Sequence, residues 1–197
     1  MSAKLQKLKQ IVEKDFSVWI DKVDYSYGEL TVECGATHYH DLIEQLKKHP
    51  ELCFEQVSDL CGVDYSTYKN EERTSKKFAV VVHLNSYKNN WRIRVKAFVA
   101  DDTFPMMDSI VDLYSGVNWF EREAFDMFGI LFNGHPDLRR ILTDYGFIGY
   151  PLRKDFPVSG HVEMKYDASQ ERIIYQPVTI EPREVTPRVV RKESFGG

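Results

Sequence analysis

Between residues 121 and 157 the chain gathers acids, arginines, a histidine and turn-forming residues more densely than anywhere else. Glu121 and Glu123 invite a reading as paired carboxylates for acid/base chemistry. Positions two apart on a helix point away from each other, however, so the pair cannot share one reacting atom. Glu123 and Asp126, three positions apart, do share a face, and with His135 they imitate part of a carboxylate-bridged metal site. Such a site needs a second carboxylate-and-histidine helix, which the sequence lacks. Arg122, one turn before Asp126, would also oppose a cation. The chemistry these residue types favour is ion pairing. Arg139 and Arg140 carry planar forks that match carboxylates bidentately, with Glu121, Glu123 or Asp144 as candidate partners.

Local signals place these side chains. Asn118 predicts an N-cap, with Glu121 three residues on to complete a capping box. Phe120, Ala124, Met127 and Phe128 recur at helical spacing, and Gly129 can end the helix. Pro136, between His135 and Asp137, suits the first turn of another short helix leading to Arg139 and Arg140. Gly146 and Gly149 permit tight turns beside Tyr145, Phe147 and Tyr150. Pro151 and Pro157 bracket an extended piece with Arg153, Lys154 and Asp155. The stretch reads as a rigid, salt-bridged recognition loop.

The pattern runs Glu-Arg-Glu, two residues, an acid, two apolar residues, six residues, His, three residues, a basic residue, one residue and two aliphatics, and residues 121–142 meet it in full. It closely resembles the signature of the thirty-kilodalton (C) subunit family of respiratory complex I, the proton-pumping NADH:quinone oxidoreductase. Cys61-Gly62-Val63-Asp64-Tyr65 and residues 142–157 look familial too, so the resemblance covers most of the chain after about residue 30. It implies a peripheral-arm subunit without a redox centre. NADH, FMN, iron–sulfur clusters and quinone would be bound by partner subunits, chiefly the quinone-site (forty-nine-kilodalton-type) subunit and the terminal-cluster subunit. The implied location is the cytoplasmic face of a bacterial inner membrane, reached only through the complex. The resemblance falls on Glu121, Arg122, Glu123, Asp126, His135, Arg139 and Arg140, to which structural or interface roles are assigned. Pro136, Asp137, Asp144, Arg153, Lys154 and Asp155 are added as flanking candidates. Two alternatives remain: the equivalent scaffold subunit of a related membrane-bound hydrogenase or formate-oxidising complex, and a free-standing acid/base enzyme using Glu123, Asp126 and His135.

The remainder fits a soluble globular chain of 197 residues, 43% hydrophobic, with a formal charge of -4 and both signs interleaved. That gives no basic field for nucleic acid. No apolar run approaches the roughly 20 residues a membrane helix requires. The first 15 residues read as an amphipathic helix on Leu5, Leu8, Ile11 and Val12, too acidic for a transit peptide. Cys34, Cys53 and Cys61, odd in number and in no C-x-x-C arrangement, argue against disulfides and zinc and fall short of the four thiolates an iron–sulfur cluster usually takes. G-x-G-x-x-G and Walker-type loops are absent.

Strands are predicted over residues 29–34, within 53–65, over 78–84 and over 91–99, the last two forming a hairpin through Asn89-Asn90. Helices are predicted from His38 to Lys48 and from Pro105 to a stop at Gly116, the latter turning Met107, Ile110, Val111 and Tyr114 inward. His38 and His40 diverge at a helix start and read as solvated surface. The Arg92, Arg94, Lys96 face of the last strand meets either solvent or an acidic partner. Helices among antiparallel strands without β-α-β alternation indicate an α+β, two-layer domain with a mixed or antiparallel sheet, over residues 1–157. Residues 158–197 read as an extended arm, held open by Pro177, Pro182 and Pro187. Tyr175, Val178, Ile180, Val185 and Val189 make it too apolar for a free linker, so it is expected to dock on a partner subunit.

Overall fold

The chain alternates apolar and charged side chains where one face of a sheet must be covered and the other left open. In the computed structural model, which describes residues 3–68 and 76–180, that alternation builds a five-stranded sheet in the order β1-β2-β5-β4-β3. The strands are β1 (Lys22–Ser26), β2 (Glu29–Gly35), β3 (Gln56–Asp64), β4 (Phe78–Ser86) and β5 (Trp91–Phe98). Only β2 and β5 pair in parallel; the other neighbours are antiparallel. The fold is α+β with a mixed sheet.

Trp91, Ile93, Val95 and Ala97 of β5 enter one hydrophobic cluster with Val80, Val82 and Leu84 of β4 and Leu30, Val32 and Cys34 of β2. Helix α1 (Ala3–Asp15) adds Leu8 and Val12, and α2 (Ala36–Lys48) adds Tyr39, Leu42, Ile43 and Leu46. At roughly 1.5–3 kcal/mol for each large apolar side chain fully buried, this cluster dominates the stability of the fold. Cys34 lies within it, and burial pushes its thiol up to about 12.

On the opposite face the basic residues of β5 find acids on the adjoining strand. Arg94 pairs with Glu29 and donates its Nε–H to His83 Nε2 at 3.0 Å, while Lys96 stands 3.6 Å from Glu33. Arg92 remains exposed. The parallel register, Thr31 opposite Arg94 and Glu33 opposite Lys96, brings these charges together, and no local signal encodes it.

Three further elements depart from the sequence reading. β1 was not expected; it turns into β2 through Tyr27 and Gly28, both at positive φ (53° and 84°), the geometry a tight hairpin needs. The helix expected from Pro105 is instead a strand, β6 (Met106–Asp108), paired in parallel with β7 (Leu131–Asn133) and followed by turns and a 3-10 turn at Ser115–Val117. Backbone groups there have better partners than a lone short helix offers: Ser109 N–H bonds Asn133 O at 2.8 Å, and Leu131 N–H bonds Pro105 O at 2.9 Å. Within residues 158–180, where only an extended arm was expected, β8 (Val162–Asp167) and β9 (Arg172–Pro177) pair as a hairpin. Asp167 fixes its turn by accepting from the Ser169 N–H and hydroxyl. Val185 and Val189 lie outside the described residues.

Two compact units result, Met1–Asp155 and Phe156–Gly197, with the five-stranded sheet in the first and β8 and β9 in the second.

Candidate functional site

The signature stretch opens with α3 (Asn118–Phe128), which ends where Gly129 takes a left-handed conformation (φ 71°) and donates its N–H to Phe125 O. The expected capping box is not made. Asn118 is already helical, the N-cap position is Val117, and no side chain caps it. Glu121 is committed elsewhere: fully buried, it accepts the Ser109 hydroxyl at 2.6 Å on Oε2 and the Ile110 N–H at 2.8 Å on Oε1. Burial pushes its carboxyl up to about 7, against the pull of those two bonds.

Glu123, two positions on, is exposed, while Asp126 is fully buried. Oδ2 of Asp126 accepts the backbone N–H groups of Ile141, Leu142 and Thr143 at 3.0, 2.7 and 2.9 Å. Oδ1 accepts the Thr143 hydroxyl at 2.6 Å and Arg140 Nη1 at 2.8 Å. Burial pushes this carboxyl up, but the Thr143 hydroxyl and the three N–H groups outweigh it and hold the group at about 2.

Around that anchor the arginines serve as braces. Arg122 donates to the carbonyls of Arg139 and Arg140, at 3.1 and 3.2 Å. Arg140 also donates to Gly149 O at 3.0 Å and lies 5.4 Å from the Tyr150 ring. Arg153 donates to Phe128 O at 2.6 Å and sits 4.5 Å from Tyr150 and 4.6 Å from Phe78, so two guanidinium groups lie within cation–π reach of Tyr150. The Lys154 N–H bonds Asp64 of β3 at 2.8 Å. Arginine–carboxylate pairing is thus present, in Arg140–Asp126 and, at the surface, Arg139–Asp137 at 2.8 Å, while Glu121, one of the acids expected to take part, is bonded to Ser109 and Ile110. Asp144 accepts the Tyr145 N–H, and Asp155 is exposed. Pro136 lies in a turn, not a helix. There His135 Nδ1 accepts the Asp137 N–H at 3.0 Å and Nε2 meets Asn118 O at 3.2 Å, which assigns the neutral tautomer with its proton on Nε2.

Glu123, Asp126 and His135 are therefore not brought to one reacting point. Among the described residues no group of three or more His, Cys, Asp or Glu side chains is placed to hold a metal ion. The arrangement locks the backbone of residues 139–154 onto α3 and leaves Leu142, Tyr145 and Ile148 outward, 63%, 98% and 87% exposed. These three, with Asp64 and Ser109, are residues the sequence reading did not single out. Asp64 had a signal in the Cys61–Tyr65 motif, Leu142 as the last aliphatic of the 121–142 pattern and Tyr145 among the aromatics beside the turns; Ser109 and Ile148 had none beyond their neighbours.

Residues 32–162 match the family described as respiratory-chain NADH dehydrogenase, 30 Kd subunit. The chain belongs to this family. Relatives of the 30 Kd subunit family run its full length. The NADH-quinone oxidoreductase (C) subunit of Neisseria meningitidis serogroup B is 60% identical, covering 99% of each chain, and that of Aromatoleum aromaticum is 55% identical, covering 100% of this chain and 98% of the relative. Among solved structures, the trypsin-resistant fragment (1-134) of Nqo5 has 28% identity and a TM-score of 0.56, covering 68% of this chain and 99% of the fragment. A structure of the membrane-bound sulfane sulfur reductase, an archaeal respiratory membrane complex, matches in fold with a TM-score of 0.62 at 23% identity, over 79% of this chain and 86% of that one.

Proposed function

We propose that the chain is a non-redox, peripheral-arm subunit of a proton-translocating NADH:quinone oxidoreductase, holding electron-carrying neighbours in register. NADH, FMN, iron–sulfur clusters and quinone are bound by those neighbours. The observation that carries this reading is the Asp126 anchor: a buried carboxylate spends five hydrogen bonds on fixing a loop whose apolar tips face outward. A loop held this rigidly loses little further entropy on binding, which suits a docking surface. The signature residues are thus assigned to bracing and interface, with the quinone-site and terminal-cluster subunits as neighbours and the inner membrane's cytoplasmic face as the place of assembly.

The second unit supports the same reading. Val162, Met164, Tyr166, Ile173, Tyr175 and Pro177 line one side of the β8–β9 hairpin, and a two-stranded hairpin is marginal in water without a surface beneath it. Removing residues 173–197 and measuring co-purification of the quinone-site subunit tests the arm; unchanged assembly counts against its docking role. For the loop, Tyr145→Asp with Ile148→Asp should lower recovery of sibling subunits while the thermal melt of the isolated chain stays put. Full recovery would remove the loop from the interface. Visible absorption from flavin or iron in the homogeneous isolated chain would contradict the non-redox assignment.

A further inference from the structure

We propose that Glu121 is an internal proton-exchange site, and that the proton it binds sets how tightly residues 109–111 are held to the first turn of α3. The site is closed: the side chains of Glu121 and His135 are both 0% exposed, and His135 Nε2 lies 4.0 Å from Glu121 Oε2. His135 cannot act as a counter-charge without giving up the Asp137 N–H it accepts, because imidazolium has no free lone pair. From α2 the site is faced by Tyr39, whose buried hydroxyl has no hydrogen-bond partner among the described residues, and by His40, which is paired with Asp112 at 3.0 Å. Asp112 raises and His40 lowers the proton affinity of Glu121; Arg122, beside it on α3, is spent on the carbonyls of Arg139 and Arg140. The buried carboxylate thus accepts from two neutral donors, its neighbouring cations being bonded elsewhere, and burial places its titration in the neutral range.

The two protonation states differ in their bonding. As a carboxylate, Glu121 accepts from Ser109 and Ile110, both charge-assisted. Once Oε2 carries the proton, that oxygen must donate to Ser109 Oγ, which already accepts the Val111 N–H at 3.2 Å and has to turn its own proton away. The Ile110 bond becomes an ordinary neutral one, and the brace weakens.

Carbon-13 NMR of the carboxyl groups of the full chain, titrated from about pH 5 to 9, reads this directly, with Glu121→Gln for assignment. The Glu121 resonance should titrate near neutrality and the Ile110 amide proton should shift with the same midpoint. Ser109→Ala, which removes a donor to the ionised form, should move the midpoint upward. A Glu121 midpoint in the ordinary carboxylate range, or an Ile110 amide that ignores the titration, overturns the proposal even if neither variant folds.

Discussion

Asp126 and Glu121 are buried on the same helix and driven in opposite directions by what surrounds them. Asp126 sits in a ring of N–H and hydroxyl donors and is held down to about 2, below its ordinary 3.8; it stabilises the fold above pH 3.8, and that contribution is lost as pH falls from there to about 2. Glu121 is raised from 4.5 to about 7, so the folded chain holds a proton the unfolded chain has released; stability should decline as pH rises between these values. Urea midpoints at intervals across both windows check the two signs, and Glu121→Gln should flatten the upper one. Asp126→Asn leaves several loop donors without a full acceptor and should cost about 2–4 kcal/mol in the same assay. Glu123→Gln, at an exposed position, should change it by less than about 0.5 kcal/mol.

At the level of elements, α3 is held from both sides by close contact. On the sheet side, a Cβ added to Gly62 of β3 would lie 2.6 Å from Phe128. On the loop side, a Cβ on Gly129 would lie 2.6 Å from Tyr150 and 2.7 Å from Arg153, and the left-handed backbone there already disfavours any other residue. Gly129→Ala should therefore destabilise by more than the roughly 1 kcal/mol of backbone strain alone. It should also raise amide exchange across residues 141–154, because the stacked Tyr150 must move. Hydrogen exchange by mass spectrometry reads that directly; an unchanged loop would mean Tyr150 is not what holds it. Gly62→Ala should instead loosen α3, since Phe128 is displaced.

For the molecule as a whole, the described core cluster is built within the first unit, so a chain ending at Asp155 should still unfold cooperatively in urea; loss of cooperativity would show that the second unit is needed for folding. Much of that unit was legible in the sequence. The alternation in β5, the helical stripes of α1, α2 and α3 and the closing Gly129 are local patterns with one dominant solution, and the Glu121–Leu142 signature fixed the family because it is long and specific. Which partner each acid takes was not legible. Glu121 seemed a capping residue by spacing, yet Ser109 and Ile110 claim it. Arg140 had three acids to choose from and is paired with a fourth, and residues 105–114 had helical spacing but gained a strand partner in β7. In each case the decision rests on groups 11 or more residues apart meeting through strand register and loop path. Local propensity is worth tenths of a kcal/mol per residue, whereas leaving a buried polar group unmade costs about 1–3, so the tertiary arrangement prevails wherever the two conflict.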